Sequence, residues 1–334
     1  MDYWNVRTYQ DFRDFVDSGL ITDSRYHGST RKAENTGYAT ITLTNWRLLE
    51  PLLYTMVEMS HAIFRGIRQN EKTDYELEPS IFRTYAFKHA RTIDEMNRYI
   101  ERCYRHFVQA ISGRRGPLSK PIESYRKFEF WSLGRHFGVR NTMLDWSRSP
   151  YVGLFFAFAD RHKEGIRSLY CLKKNIIDDA RQGKYGPAPQ VRRSGPSRDD
   201  DILLTKAPGF NSLLFYEPLS DENLRMINQQ GVFTVSRSPH AIEKWVAHNY
   251  PRVLRHLQKQ LRGASDDKSR ARLESEIQSG WILLRIDIVT DTAKKEPAQI
   301  LRWLNRMNIS YASLFPDVEG ASLYANMQGD ILHY

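Results

Sequence analysis

The stretch Trp131–Ala159, WSLGRHFGVRNTMLDWSRSPYVGLFFAFA, decides how this chain folds. It opens with the end of an amphipathic helix, and Thr142–Trp146 then reads as a strand. Ser147-Arg148-Ser149-Pro150 is a capping element: Ser147 or Ser149 accepts from the first-turn amides, and Pro150 occupies the first helical turn. The helix that follows, Tyr151–Ala159, is apolar on every side and belongs in a core rather than on a surface. Capping accounts for a serine and the proline. It does not account for Asp145 and Trp146, a carboxylate and a large ring set together at a strand end.

Working outward, His61–Gly66 (HAIFRG) reads as a short strand, and residues 92–111 as a helix. Ile93, Met96, Tyr99, Ile100, Cys103, Phe107 and Ile111 share one face of that helix. Helices are also expected over 4–20, from Trp46 to Met59, over 122–137 and from Pro297 to Met307. A longer helix from Ala241 to about Glu276 is expected to break near Pro251 and Gly263. Tyr38–Leu43, Ser168–Leu172, Ser212–Tyr216, Gly231–Ser236 and Trp281–Val289 read as strands. Residues 21–38 and the basic stretch 112–120 read as loops. Arg181–Asp201 is polar and rich in breakers, so a mobile insertion is expected there. Strands scattered among helices without a βαβ rhythm give an α+β fold with a mixed or antiparallel central sheet.

Composition narrows the class. Of 334 residues, 41% are hydrophobic and 26% charged, the balance of a globular protein. No stretch approaches the roughly twenty apolar residues of a membrane span, and the first residues lack the basic-then-apolar pattern of a leader. Two cysteines, Cys103 and Cys171, make neither a disulfide framework nor a metal knuckle, so a cytoplasmic location is expected. The formal charge of +10 favours polyanions such as nucleic acid, and serves simple solubility equally well. Arg252, Arg255, Lys259 and Arg262 fall near one helical face that could track a phosphate backbone or merely be solvated. HExxH, CxxC, P-loop and GxGxxG patterns are all lacking. No metal site, Walker-type loop or Rossmann dinucleotide site is therefore expected, and the lack of clustered carboxylates disfavours a nuclease.

Three stretches taken in order resemble the FRG domain family over roughly residues 58–325. They are Phe64-Arg65-Gly66 with Leu77–Arg83 (LEPSIFR), then Trp131–Ala159, then Asn228–Phe233 (NQQGVF) closed by Ser313–Gly320 (SLFPDVEG). The chain departs from the family pattern at Arg135-His136, where Gln-His is usual, and at Arg140–Met143, where Pro-Thr-Arg is common after the glycine. On this reading residues 1–57 are an N-terminal helical and loop extension, 58–325 the FRG domain, and 326–334 a C-terminal tail.

The order of Arg65, Ser147 and the Gln229-Gln230-Gly231 turn also resembles the plan of ADP-ribosyltransferases, which implies a fold of that kind and NAD as substrate. The resemblance implies Arg65, Ser147, Gln230 and a glutamate as catalytic residues, the glutamate being Glu319, with Glu129 and Glu222 as alternatives. It implies NAD contacts from Arg65, Gly66, His136, Asp145, Trp146 and Ser147. From the residues alone, Arg65 beside Gly66 suits bidentate capture of phosphate or carboxylate, or a structural ion pair with Asp145 or Glu129. His136 reads equally as an acid, base or phosphate ligand and as a buried, hydrogen-bonded histidine. The expected activity is NAD-dependent ADP-ribosyl transfer to RNA, DNA or protein. The superfamily further implies a toxin of an antiphage or toxin-antitoxin system, with an antitoxin as partner. The alternative is a non-catalytic module that recognises nucleic acid or a protein.

Overall fold

The computed structural model describes residues 4–6, 36–57, 61–68, 77–112, 114, 125–159, 166–185, 203–218 and 224–332. Eight strands among them form one mixed sheet in the order β1-β2-β8-β5-β3-β4-β7-β6. The strands are β1 (Trp4–Val6), β2 (Gly37–Leu43), β3 (Ala62–Arg68), β4 (Met143–Ser147), β5 (Arg167–Lys173), β6 (Leu213–Tyr216), β7 (Gly231–Ser236) and β8 (Trp281–Ile288). β1, β2 and β8 run parallel, and every other pairing is antiparallel. The α+β expectation holds. β2, from the segment preceding residue 58, lies inside the sheet between β1 and β8.

The described helices are α1 (Leu49–Val57), α2 (Tyr85–Lys88), α3 (Ile93–Ile111), α4 (Lys127–His136), α5 (Pro150–Phe158), α6 (Lys174–Arg181), α7 (Leu224–Asn228), α8 (Ile242–Gly263), α9 (Asp267–Ser279), α10 (Glu296–Arg306), α11 (Tyr311–Leu314) and α12 (Val318–Leu332). Helix α5 is the apolar one, and its position explains its composition. It lies on β3 and β5 with α1 and α10 against its outer side, so Val152, Leu154, Phe155, Ala157 and Phe158 are all buried. Val152, Leu154, Phe155 and Phe158 each contribute roughly 1.5–3 kcal/mol by leaving water. The close approach rests on two glycines. A Cβ on Gly66 would lie 1.9 Å from the Gly153 carbonyl oxygen, and one on Gly153 would lie 3.0 Å from Phe64 Cβ. Gly66 therefore admits the α5 backbone onto β3.

The second face of the sheet is covered by α8. Its Trp245, Val246, Tyr250, Val253 and Leu257 pack with Tyr38, Tyr170, Leu172 and Leu283. Two expectations are corrected here. Trp4–Val6 is a strand rather than the start of a helix, because its backbone pairs with Ile41–Leu43. Helix α8 runs unbroken through Pro251 and ends at Gly263. Proline removes one amide from the ladder, but the buried residues on either side of it hold the helix to the sheet. Helix α12 extends through residues 326–332. The helix expected over 7–20, the loop over 21–35, most of the basic loop 112–120 and residues 186–201 of the expected mobile insertion lie outside the described residues. Among the described residues no helix is long and apolar enough to cross a membrane.

Candidate functional site

Strands β3 and β4 share a single register pair, Phe64 with Ser147. Beyond that pair the Arg65 side chain takes the place of a ladder bond: its Nη1 donates to the Asp145 carbonyl oxygen at 2.5 Å. The same nitrogen stands 3.5 Å from the Asp145 carboxylate. From the last turn of α4, Arg135 holds that carboxylate through Nε (3.0 Å) and Nη2 (2.9 Å) to one oxygen, Oδ2. Arg135 Nη1 donates to Ser80 Oγ at 3.0 Å. Arg83 lies close enough to oppose the charge of Arg65.

One half-exposed carboxylate thus faces two guanidinium groups, with a third, that of Arg83, close enough to act on Arg65. Burial pulls Arg65 below the ordinary guanidinium value; Asp145 opposes that shift, while Arg135 and Arg83 add to it. The side chains of Arg65 and Arg135 are 19% and 18% exposed, and that of Asp145 is 45% exposed, so the cluster opens to solvent. Among the described residues the buried Nε of Arg65 has no acceptor. Donors exceed acceptors here, which is the chemistry of an anion site.

The other expected residues are placed as follows. Ser147 donates to the Gln229 carbonyl oxygen at 2.7 Å and accepts from the Ser149 amide at 2.9 Å. Ser149 is the helix cap, accepting from Val152 N. Gln230 sits beside Ser147 in a left-handed turn (φ 47°), and its carbonyl accepts from Arg148 N at 3.0 Å. Trp146 is buried, with its indole N–H donating to Thr234 Oγ1 at 3.0 Å. His136 is the last residue of α4, and its side chain lies outside what is described.

Glu319 belongs to a second constellation. Its carboxylate accepts from Arg225 Nη2 at 2.8 Å, and Arg225 also holds Asp317 through Nε at 2.7 Å. Asn228 and Gln229 donate to the carbonyls of Ser313 and Leu314, at 2.7 and 3.1 Å. The NQQGVF and SLFPDVEG stretches therefore meet, with α7 docked on the α11–α12 connection. Glu129 accepts from the Arg126 amide at the start of α4, and Glu222 lies outside the described residues. Of the candidate residues, Asp145 contacts Arg65 directly, and Ser147 and Gln230 are joined through the turn.

The sequence reading missed Arg135, Ser80 and Arg83 as members of the cluster. A signal for Arg135 was present, since a cation replaces the family's glutamine at that position. The reading also missed a polar row that crosses the sheet at the level of Arg65. Register pairs join Thr40 to Arg285, Arg285 to Tyr170 and Tyr170 to Arg65. Arg285 Nε donates to Asp287 Oδ1 at 2.7 Å, and Ser168 Oγ donates to the same oxygen at 2.5 Å. Both members of this ion pair are buried. The row ends at the anion cluster and fixes the strand that carries Arg65.

Arg65, Ser80, Arg83, Arg135 and Asp145 come from four separate elements, yet all fall within one span of about a hundred residues. No curated protein and no solved structure shows significant similarity to the chain. Residues 60–165, the span that supplies every member of the cluster, match the family model of the FRG domain, so the chain carries an FRG domain.

Proposed function

We propose that the Arg65–Arg135–Asp145 cluster binds a phosphate-bearing ligand, and that this ligand is NAD, consumed as substrate in ADP-ribosyl transfer. The observation that carries the reading is the pair of guanidinium groups around one accessible carboxylate, with a buried Arg65 Nε that has no partner among the described residues. A phosphate oxygen suits that donor set, because guanidinium groups present paired N–H donors in a fixed fork. Bound there, NAD supplies an electrophilic ribose carbon with nicotinamide as the leaving group. Arg65 and Arg83 hold phosphate, and Asp145, kept in place by Arg135, supplies negative charge beside the ribose. Asp145 takes the place of Glu319 in this assignment, because Asp145 contacts Arg65 directly while Glu319 belongs to the Arg225 constellation.

A second reading is a non-catalytic FRG module that recognises nucleic acid or protein. It is favoured by Ser147, whose hydroxyl is spent inside the turn on Gln229 and Ser149. Calorimetry with NAD and with ADP-ribose, followed by transfer assays using adenylate-labelled NAD and cell extract, separates the two. Binding plus labelled product that resists nuclease or protease selectively supports transfer. Binding of ADP-ribose without turnover supports the module, and failure of both ligands to bind removes the NAD assignment.

A further inference from the structure

Helix α8 turns one face to the sheet and the other to water, and its charges are sorted with it. Lys244, His248, Arg252, Arg255, Lys259 and Arg262 are all exposed. At about 100° per residue these six positions fall within an arc of about 80°, and they extend over roughly 27 Å of helix. The buried side holds Ile242, Trp245, Val246, Tyr250, Val253 and Leu257. The helix contains one acidic residue, Glu243, and it faces inward, its two carboxylate oxygens accepting from Leu77 N at 2.9 and 3.0 Å. Among the described residues none of the six basic side chains makes an ion pair with a carboxylate. A solvated helix face ordinarily interleaves acids with bases at i+4 spacing. Here five permanent cations stand in line with no acid among them.

We infer that this stripe is a docking surface for the phosphate backbone of duplex nucleic acid. A row of fixed cations along a straight axis matches a polyanion with regular charge spacing. A contiguous row of cations contacts phosphates, which position a protein on the duplex but carry no sequence information, so recognition is independent of sequence. Binding of a single strand calls for exposed aromatic rings on which bases stack. The exposed face of α8 has none beyond His248, because Trp245 and Tyr250 are buried. The stripe begins beside the anion cluster: Ile242 N donates to the Leu77 carbonyl at 3.2 Å, and Leu77 leads into the turn carrying Ser80 and Arg83. The inference does not rest on the transferase reading, since duplex binding requires no NAD.

The test is fluorescence anisotropy with a labelled 20-base-pair duplex and the full chain, without NAD, at 50 to 200 mM salt. Five phosphate contacts predict that affinity falls about 500-fold over that range. In an Arg252→Gln, Arg255→Gln, Lys259→Gln triple variant the fall shrinks to about 10-fold, because each lost contact flattens the slope of log affinity against log salt by about 0.9. The control carries Arg98→Gln, Arg102→Gln and Arg105→Gln on the exposed face of α3, with the same net charge. It keeps the wild-type salt dependence. Glutamine is a good helix former at exposed positions, and circular dichroism verifies both folds. The inference is overturned by absence of duplex binding at 50 mM salt, or by equal losses in the two triple variants. Tighter binding of single-strand RNA of the same length, or equal displacement by polyglutamate of the same charge, overturns it as well.

Discussion

Arg65 donates to the main-chain carbonyl of Asp145 at 2.5 Å, while the carboxylate of Asp145 is gripped by Arg135. Two arginines therefore share one residue, the first bonding its backbone and standing 3.5 Å from its carboxylate, the second gripping that carboxylate. This sharing sets what removing either arginine does.

Arg65→Ala leaves Asp145 paired with Arg135 and half exposed, so it does not strand a buried charge. The expected loss of stability is about 1–2 kcal/mol, from one charged hydrogen bond and the buried stem of the side chain. It falls short of the roughly 3–5 kcal/mol that breaking a buried pair costs. ADP-ribose binding should fall at least about tenfold, and Arg65→Lys should restore only part of it, because lysine lacks the planar fork. Urea melts and calorimetry on the same proteins check both. Wild-type affinity in a folded Arg65→Ala protein removes Arg65 from the ligand site.

Gly66→Ala places a methyl group 1.9 Å from the Gly153 carbonyl oxygen and 2.4 Å from the Ala157 amide nitrogen. Both are backbone atoms of a helix packed on two strands and cannot yield as a side-chain tip would. The expected cost is about 3 kcal/mol or more, at the upper end for overpacking. It should appear as a lower urea midpoint or as insoluble protein. A wild-type midpoint would show that α5 can lift from β3.

The two cysteines should separate by reactivity. Burial among apolar side chains pushes the Cys171 thiol up to about 12, so almost no thiolate forms near neutral pH. Cys103 is partly exposed on α3. A thiol reagent at pH 8 should therefore modify one cysteine quickly and the second only in denaturant, as intact-mass measurement would report. Rapid double modification of the folded protein would contradict the packing around β5.

Asp317 titrates below the ordinary carboxylate value, held there first by the Gly320 amide and then by the Arg225 guanidinium. A depressed folded-state value means the contact's contribution is present at neutral pH and is lost as the pH falls through that value. Docking of α7 on the α11–α12 connection should loosen in acid. Hydrogen exchange over residues 224–230, corrected for intrinsic rates, should rise as the pH drops below the usual aspartate range, and Asp317→Asn should reproduce part of that rise at pH 7. Exchange that ignores both changes would mean that Asn228 and Gln229 suffice to hold the helix.

The sequence by itself determined the elements whose chemistry is local. The unbroken apolar run of α5 could only be a core helix. Ser149-Pro150 marks the start of that helix, and period-2 and period-3.6 patterns located β2, β5, β7, β8, α3 and α10. The family resemblance, read over roughly residues 58–325, was legible without any structure, and 60–165 of that span match the family model. Tertiary structure alone decided three things. Pro251 looked like a helix end because local propensity is blind to a partner surface, and packing on the sheet outweighs one missing amide. Arg285 and Asp287 alternate with isoleucines as solvent-facing residues do, yet α8 covers them and makes them a buried pair. The anion cluster was legible in part: Arg65 and Asp145 stood out beside breakers, while Arg135, Ser80 and Arg83 did not. Their grouping depends on how β3, α4 and the 77–83 turn converge, and contacts between residues 55 or 80 positions apart leave no periodic trace in the chain.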